Sequence, residues 1–336
     1  CIMEGSTASR VATIPDGVYR FEDQFECSEI GETLTFHVSI EVEGDEIHLD
    51  FTGNPPQVRA GLNMVETALL ATVYYAVKTV TDPDAPPNAG LFRPITVIAT
   101  PGSILSSVSP AAVNGRTNTC QRVVDLVHGA LAQAVPERII AACNGAVISA
   151  TFTGVNPRNG EFYVYLETLG GGFGARATKD GLDGVQVHIT NTSNLPVEGL
   201  EPEYPLRIER YELVRDSGGC GTWRGGMGMR RQVRVLDHEC RVTVRGTRIE
   251  TAPWGLFGGH DGGRHRVEYE AGVAALERST GVLAPGQSIA IVTPGAGGYG
   301  PPDEREPDLV RRDLREDRIS SDTAREVYGL DVPAEK

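Results

Sequence analysis

The chemistry-bearing residues of this chain are densest between Arg176 and Glu203. Arg176 can receive an anionic oxygen, and Asp180, Glu198 and Glu201 can exchange protons. His188 can act as a base or a ligand, and the polar side chains of Asn191, Thr192 and Asn194 can orient a small polar molecule. Just before them stands Gly170-Gly171-Gly172-Phe173-Gly174-Ala175, a loop with almost no side-chain bulk, whose amides another molecule could approach closely. The plainer reading is a tight turn whose polar neighbours satisfy one another and the loop backbone.

Such residues need elements to hold them. Phe162 to Glu167 is strand-like and delivers the chain to the glycine loop, and beyond it Val185, Val187 and Ile189 alternate with Gln186, His188 and Thr190. That alternation predicts a half-buried strand with His188 on its polar face. Upstream, Leu34 to Val42 and Ile47 to Phe51 read as a β-hairpin turning at Gly44-Asp45. Gly61 to Thr81 takes a helical period, and a second helix is expected from Thr119 to Val135, stopped by Pro136. Arg116, just before that helix, makes an anion-binding corner or pairs with a carboxylate; the sequence leaves both open. After Pro205 come strand patterns at Leu206 to Val214, Met229 to Leu236, Glu239 to Gly246 and Ser288 to Val292, then a charged tail with helical spacing. The fold class is α+β, with mixed, mostly antiparallel β-sheets, a helical portion, glycine-rich connecting loops and a C-terminal helical tail. Its expected segments are a β-hairpin region (1–60), a helical portion (61–140), a β-rich core (141–300) and the tail (301–336).

A formal charge of −14 over 336 residues opposes binding to nucleic acid or an anionic membrane. The arginines from Arg215 to Arg248 form a locally basic zone, but only Trp223 and Trp254 interleave with them, so strand-face pairing with carboxylates is expected instead. No apolar run approaches the ~20 residues of a membrane helix. The six cysteines form no C-x-x-C pair, which argues against a zinc knuckle or a disulfide scaffold and for a reduced, cytoplasmic protein. Cys1 opens a chain without an initiator methionine, which reads as the latter part of a longer polypeptide; as a nucleophile it has no recognisable base nearby. T-P-G-A-G-G-Y-G (Thr293 to Gly300) lacks the G-K-[ST] of a phosphate cradle.

Several segments carry a resemblance. They are I-P-D-G-V-Y-R-F-E-D (Ile14 to Asp23), D-F-T-G-N-P-P-Q (Asp50 to Gln57), V-N-G-R (Val113 to Arg116), G-G-G-F-G-A-R with H-I-T-N-T-S-N-L-P-V-E and E-Y-P, R-D-S-G-G-C-G-T-W-R-G-G-M-G (Arg215 to Gly228), and A-P-W-G-L-F-G-G (Ala252 to Gly259). In this order the chain resembles the C-terminal part of the B-type subunit of the N-methylhydantoinase / 5-oxoprolinase / acetone carboxylase family. The resemblance implies a subunit that works with an A-type partner holding ATP and Mg2+, in a hetero-oligomer that opens a cyclic amide. A divalent metal would be bound mainly by an N-terminal part of the B-type subunit not present here. A ketone carboxylase is the nearest alternative, and a non-catalytic scaffold the second. Within this picture the amides of Gly171, Gly172, Phe173 and Gly174, with Arg176 and Arg116, would bind the substrate's oxygens. Asp180, Asn191, Thr192 and Asn194 would orient it or a water, and Glu198 or Glu201 would transfer the proton. Family members often show a second histidine where this chain has Gln186, which weakens His188 as a metal ligand.

Overall fold

The computed structural model describes residues 8–277 and 279–332; Cys1 and the last residues of the expected tail lie outside them. The chain divides into two compact units, one running up to Ile140 with Arg176–Thr178 added, the other made of Ala141–Ala175 and the chain from Lys179 onward.

In the first unit, β1 (Gly17–Cys27), β2 (Glu32–Glu43) and β3 (Glu46–Asp50) form an antiparallel meander, and β4 (Ile95–Ile98) joins parallel to β3. The hairpin forms where alternation placed it, because Gly44 adopts the positive φ of 61° that the tight β2–β3 connection requires. Phe36, Val38, Ile40, Ile47 and Leu49 make its buried face, with helices α1 (Glu66–Thr81) and α2 (Arg116–Leu131) as the unit's helical layer. Both helices depart from the expected bounds. The Asn63 carboxamide bonds the Val58 amide and the Val58 and Ala60 carbonyls, so residues 58–63 fold as a turn and α1 begins only at Glu66. α2 begins at Arg116, because the buried Thr119 hydroxyl donates to the Leu62 carbonyl instead of capping the helix. Inside α2, fully buried Arg122 lies 3.5 Å from Asp23 and 3.9 Å from Glu26 of β1, so the charge goes under with partners.

The second unit contains two four-stranded sheets. One orders β10 (Arg266–Tyr269), β12 (Ser288–Val292), β8 (Met229–Val235) and β7 (Leu206–Leu213); the other orders β11 (Thr280–Leu283), β9 (Cys240–Arg245), β5 (Ile148–Val155) and β6 (Phe162–Leu169). Every pairing within them is antiparallel. Phe152, Leu169, Val233, Val242, Leu283 and Ile291 belong to one buried cluster drawn from both sheets, so the sheets pack face to face as a sandwich. The strand arginines do pair along the strands: Arg230 with Glu212 and Glu268, Arg234 with Glu209 and Glu270. β6 and β7 are edge strands. Past the sandwich, α3 (Val197–Glu203) precedes β7, and the tail folds as α4 (Pro307–Arg315) and α5 (Ser321–Glu326) around Val310, Ile319 and Ala324.

Candidate functional site

The glycine loop is approached, but by its own chain. The amides of Gly171, Gly172 and Phe173 donate to the carbonyls of Val185, Pro294 and Leu182 at 2.9, 3.0 and 2.9 Å, and that of Gly174 points at the Cys143 Sγ at 3.3 Å. A Cβ at Gly172 would collide with the Gly226 carbonyl oxygen, and one at Gly174 with that of Ala141. The missing side chains let distant glycine-rich segments pack backbone on backbone. These amides are therefore not donors for a substrate oxygen, which corrects the role expected for Gly171, Gly172, Phe173 and Gly174.

Asp180 is corrected for a similar reason. Its carboxylate takes Arg305 in bidentate fashion at 2.7 and 2.9 Å, Arg312 at 3.2 Å and the Arg224 amide at 2.8 Å. Arg224 also binds Asp183 at 3.1 Å, and Arg318 pairs with the same carboxylate. Burial pushes the Asp180 carboxyl up, but the Arg305 hydrogen bonds and charge outweigh it and hold the group below its ordinary 3.8. Asp180 thus anchors the tail to the segment after the glycine loop, and its oxygens are fully occupied.

The polar strand expected over 185–190 does not form. Val185 makes a single bridge to Gly171, and Gly184 (φ 60°) and His188 (φ 50°) take left-handed conformations that break extension on either side. Of this stretch only Val187 is buried; the His188 ring lies against Phe173, centroids 5.9 Å apart. Released from a sheet, residues 186–196 run along the open side of the sandwich and line two adjoining recesses. One, of 380 Å³, includes Gln186, Asn191–Asn194, Tyr211 and Met229; the other, of 530 Å³, lies between Tyr165–Thr168 and Thr192–Pro196. Thr192, Ser193 and Asn194 are common to both.

Asn194 joins these recesses to a buried polar cluster. Its amide donates to Glu167 Oε2 at 3.1 Å and to the Thr168 carbonyl at 3.0 Å, and its oxygen accepts the Tyr211 hydroxyl at 3.1 Å. It therefore ties edge strand β6 to edge strand β7. Glu167, 5 % exposed, also accepts Arg231 Nε at 2.9 Å and the Tyr165 hydroxyl at 2.7 Å. Burial, reinforced by the Glu167 charge, pushes the Tyr165 hydroxyl up, so it remains a donor. The Arg231 guanidinium carbon sits 4.5 Å from the Tyr211 ring centroid. Sequence reasoning missed Glu167, Arg231, Tyr165 and Tyr211 as site residues. Strand parity held the signal: Glu167 shares the inward side of β6 with Tyr163 and Tyr165, and Arg231 shares that of β8 with Met229 and Val233.

The remaining expected residues are spread out. Glu198 is exposed in the first turn of α3, while Glu201 accepts the Ile208 amide at 3.0 Å, which ties that carboxylate to β7. Arg176 belongs to the first unit, bridged to Ile140. Arg116, also of the first unit, is exposed as the opening residue of α2, its guanidinium 3.5 Å from the Val113 carbonyl. Among the described residues, no helix is long and apolar enough to cross a membrane.

Known proteins share this sequence and fold. The sequence profile described as Hydantoinase B/oxoprolinase matches residues 3–302. An uncharacterised protein of Methanocaldococcus jannaschii is 39% identical over 303 residues, covering 89% of this chain and 53% of that protein. The putative B-type subunit of a D-/L-hydantoinase from a Pseudomonas species is 32% identical over 349 residues, covering 96% of this chain and 57% of that protein. The crystal structure of an ATP-dependent caprolactamase from Pseudomonas jessenii superposes with a TM-score of 0.87 at 27% identity, over 99% of this chain and 60% of the other. The chain thus spans about half the length of these two curated relatives.

Proposed function

The chain belongs to the hydantoinase B/oxoprolinase family, and from that premise we propose that it is part of the catalytic B-type subunit of an ATP-dependent amidohydrolase that opens a cyclic amide. ATP and Mg2+ are held by an A-type partner in a heteromeric complex, and the remainder of the B-type subunit completes the site. The observation that carries this reading is the convergence of Asn191, Thr192, Ser193 and Asn194 on recesses above the buried Glu167–Arg231 pair. A stable amide carbonyl is a poor electrophile, so ATP supplies the driving force and this wall's task is to hold the ring in one orientation. Asn194, fixed by Glu167, Thr168 and Tyr211, is the rigid element of that wall. Glu198, exposed four residues beyond Asn194, is the carboxylate assigned the proton transfer at the ring nitrogen. A divalent metal belongs mainly to sequence outside this chain, and no step here runs through it.

The test is turnover of the assembled complex with saturating ATP. Asn194→Ala and Glu198→Gln are each expected to lower kcat by about 10²-fold, the scale of losing a positioning or acid–base group. Unchanged turnover in both removes these residues from the mechanism and favours a scaffold.

A further inference from the structure

The 380 Å³ recess differs from the surface around it. In a chain with 23% charged residues, no charged side chain lines it among the described residues. Its walls offer the carboxamides of Gln186 and Asn191, the hydroxyls of Thr192 and Ser193, and the ring of Tyr211. The side chains of Asn191, Thr192 and Ser193 make no hydrogen bond to the described residues, so their donors and acceptors face the recess or solvent. Neither Glu167 nor Arg231 lines it, and the two pair with each other at 2.9 Å. Tyr211 is backed on one side by the Arg231 guanidinium and is 48 % exposed, which leaves ring surface open to stacking. The volume falls within the ~300–1,000 Å³ typical of small-ligand sites.

Resting on the function proposed above, we infer that this recess seats a flat, neutral ring that carries an amide N–H beside its carbonyl, and that it rejects the same ring bearing a carboxylate. A ring amide offers one donor and one acceptor on adjacent atoms, the pairing that a carboxamide returns. The ring face stacks on Tyr211. A carboxylate entering the recess would lose hydration with no cation among the described residues of its lining to replace it, and Arg231 is already paired with Glu167. Hydantoins and simple lactams satisfy these requirements; 5-oxoproline does not.

The matched probes are 2-pyrrolidone and 5-oxoproline, which differ only by that carboxylate. In ligand-observed NMR titrations of the chain, 2-pyrrolidone is expected to bind at least about tenfold more tightly, the scale of an unmatched polar group in a site. Asn191→Ala and Tyr211→Leu should weaken it, and Thr192→Lys should shift the preference towards 5-oxoproline. Equal or tighter binding of 5-oxoproline by the unaltered chain, binding of neither probe, or a preference unmoved by all three substitutions would overturn the inference. ATP-dependent assays of the complex separate the two claims. If 5-oxoproline is opened and 2-pyrrolidone is not, the amidohydrolase stands and the neutral-ring subsite falls. If 2-pyrrolidone binds as expected but no cyclic amide, hydantoin included, is opened, the subsite stands and the amidohydrolase falls.

Discussion

Glu167→Gln is the perturbation whose consequences the structure defines most sharply. The substitution keeps the shape but removes the charge that faces Arg231, itself 1 % exposed, and replaces an acceptor oxygen with an N–H2 facing donors from Tyr165, Arg231 or Asn194. Breaking one side of a buried ion pair costs about 3–5 kcal/mol. For a chain of 336 residues each kcal/mol moves the thermal midpoint by about 1.4 °C, so a fall of about 4–7 °C is expected. Arg231→Met should cost a similar amount by stranding Glu167, and the double variant Glu167→Gln/Arg231→Met should recover much of it, since neither ion then remains buried. Melting followed by circular dichroism at pH 7 reads all three. A single-variant loss below about 2 °C, or a double variant whose loss is the sum of the two, would refute the claim that these side chains form one coupled pair at the base of the site.

Other expectations follow from the same contacts. Asp180→Asn should loosen the tail: Asp180 has a folded pKa below 3.8, so its stabilisation is present above that value and is lost as pH falls through the folded one. The melting difference between wild type and Asp180→Asn should therefore shrink as pH is taken from 6 to about 3, and a constant difference would contradict the assignment. His238, whose ring Nε2 lies 2.6 Å from the Tyr163 hydroxyl, is held below its ordinary 6.5 mainly by burial, against the pull of Asp237. The unfolded chain takes up that proton first, so stability is complete above 6.5 and declines as pH drops below it; His238→Phe should flatten the melting profile between pH 7 and 5. Gly174→Ala places a methyl group against the Ala141 carbonyl, and loss of soluble folded protein is the expected outcome of expression trials, whereas Gly199→Ala, whose Cβ would meet only the Leu195 side chain at ordinary contact distance, should remain soluble.

The sequence spoke plainly where local pattern and local turn chemistry agreed. Leu34 to Phe51 alternates on both sides of Gly44 and folds as that hairpin, and Ser288 to Val292 is a strand with the bounds its apolar run suggested. Where the outcome depends on partners far along the chain, local pattern misled. Val185 to Thr190 alternates like a strand, yet Gly184 and His188 turn left-handed and the carbonyls of Leu182 and Val185 serve the glycine loop. The loop's bareness was legible, but not its purpose, because Gly226, Pro294 and Gly297 approach it from more than 50 residues away. Asn191, Thr192 and Asn194 were recognisable from their polarity, and the structure gathers them at a recess. The pairing of Glu167 with Arg231 spans two sheets and 64 residues, so only inward parity hinted that either was buried.

The central claim is an ATP-driven opening of a cyclic amide, and the direct measurement is ADP release by the purified complex with substrate and bicarbonate varied independently. ADP release that rises with a neutral cyclic amide, yields its ring-opened amino acid and is indifferent to bicarbonate is the predicted result. ADP release that requires bicarbonate and a ketone, with no ring-opened product from any cyclic amide, would contradict it.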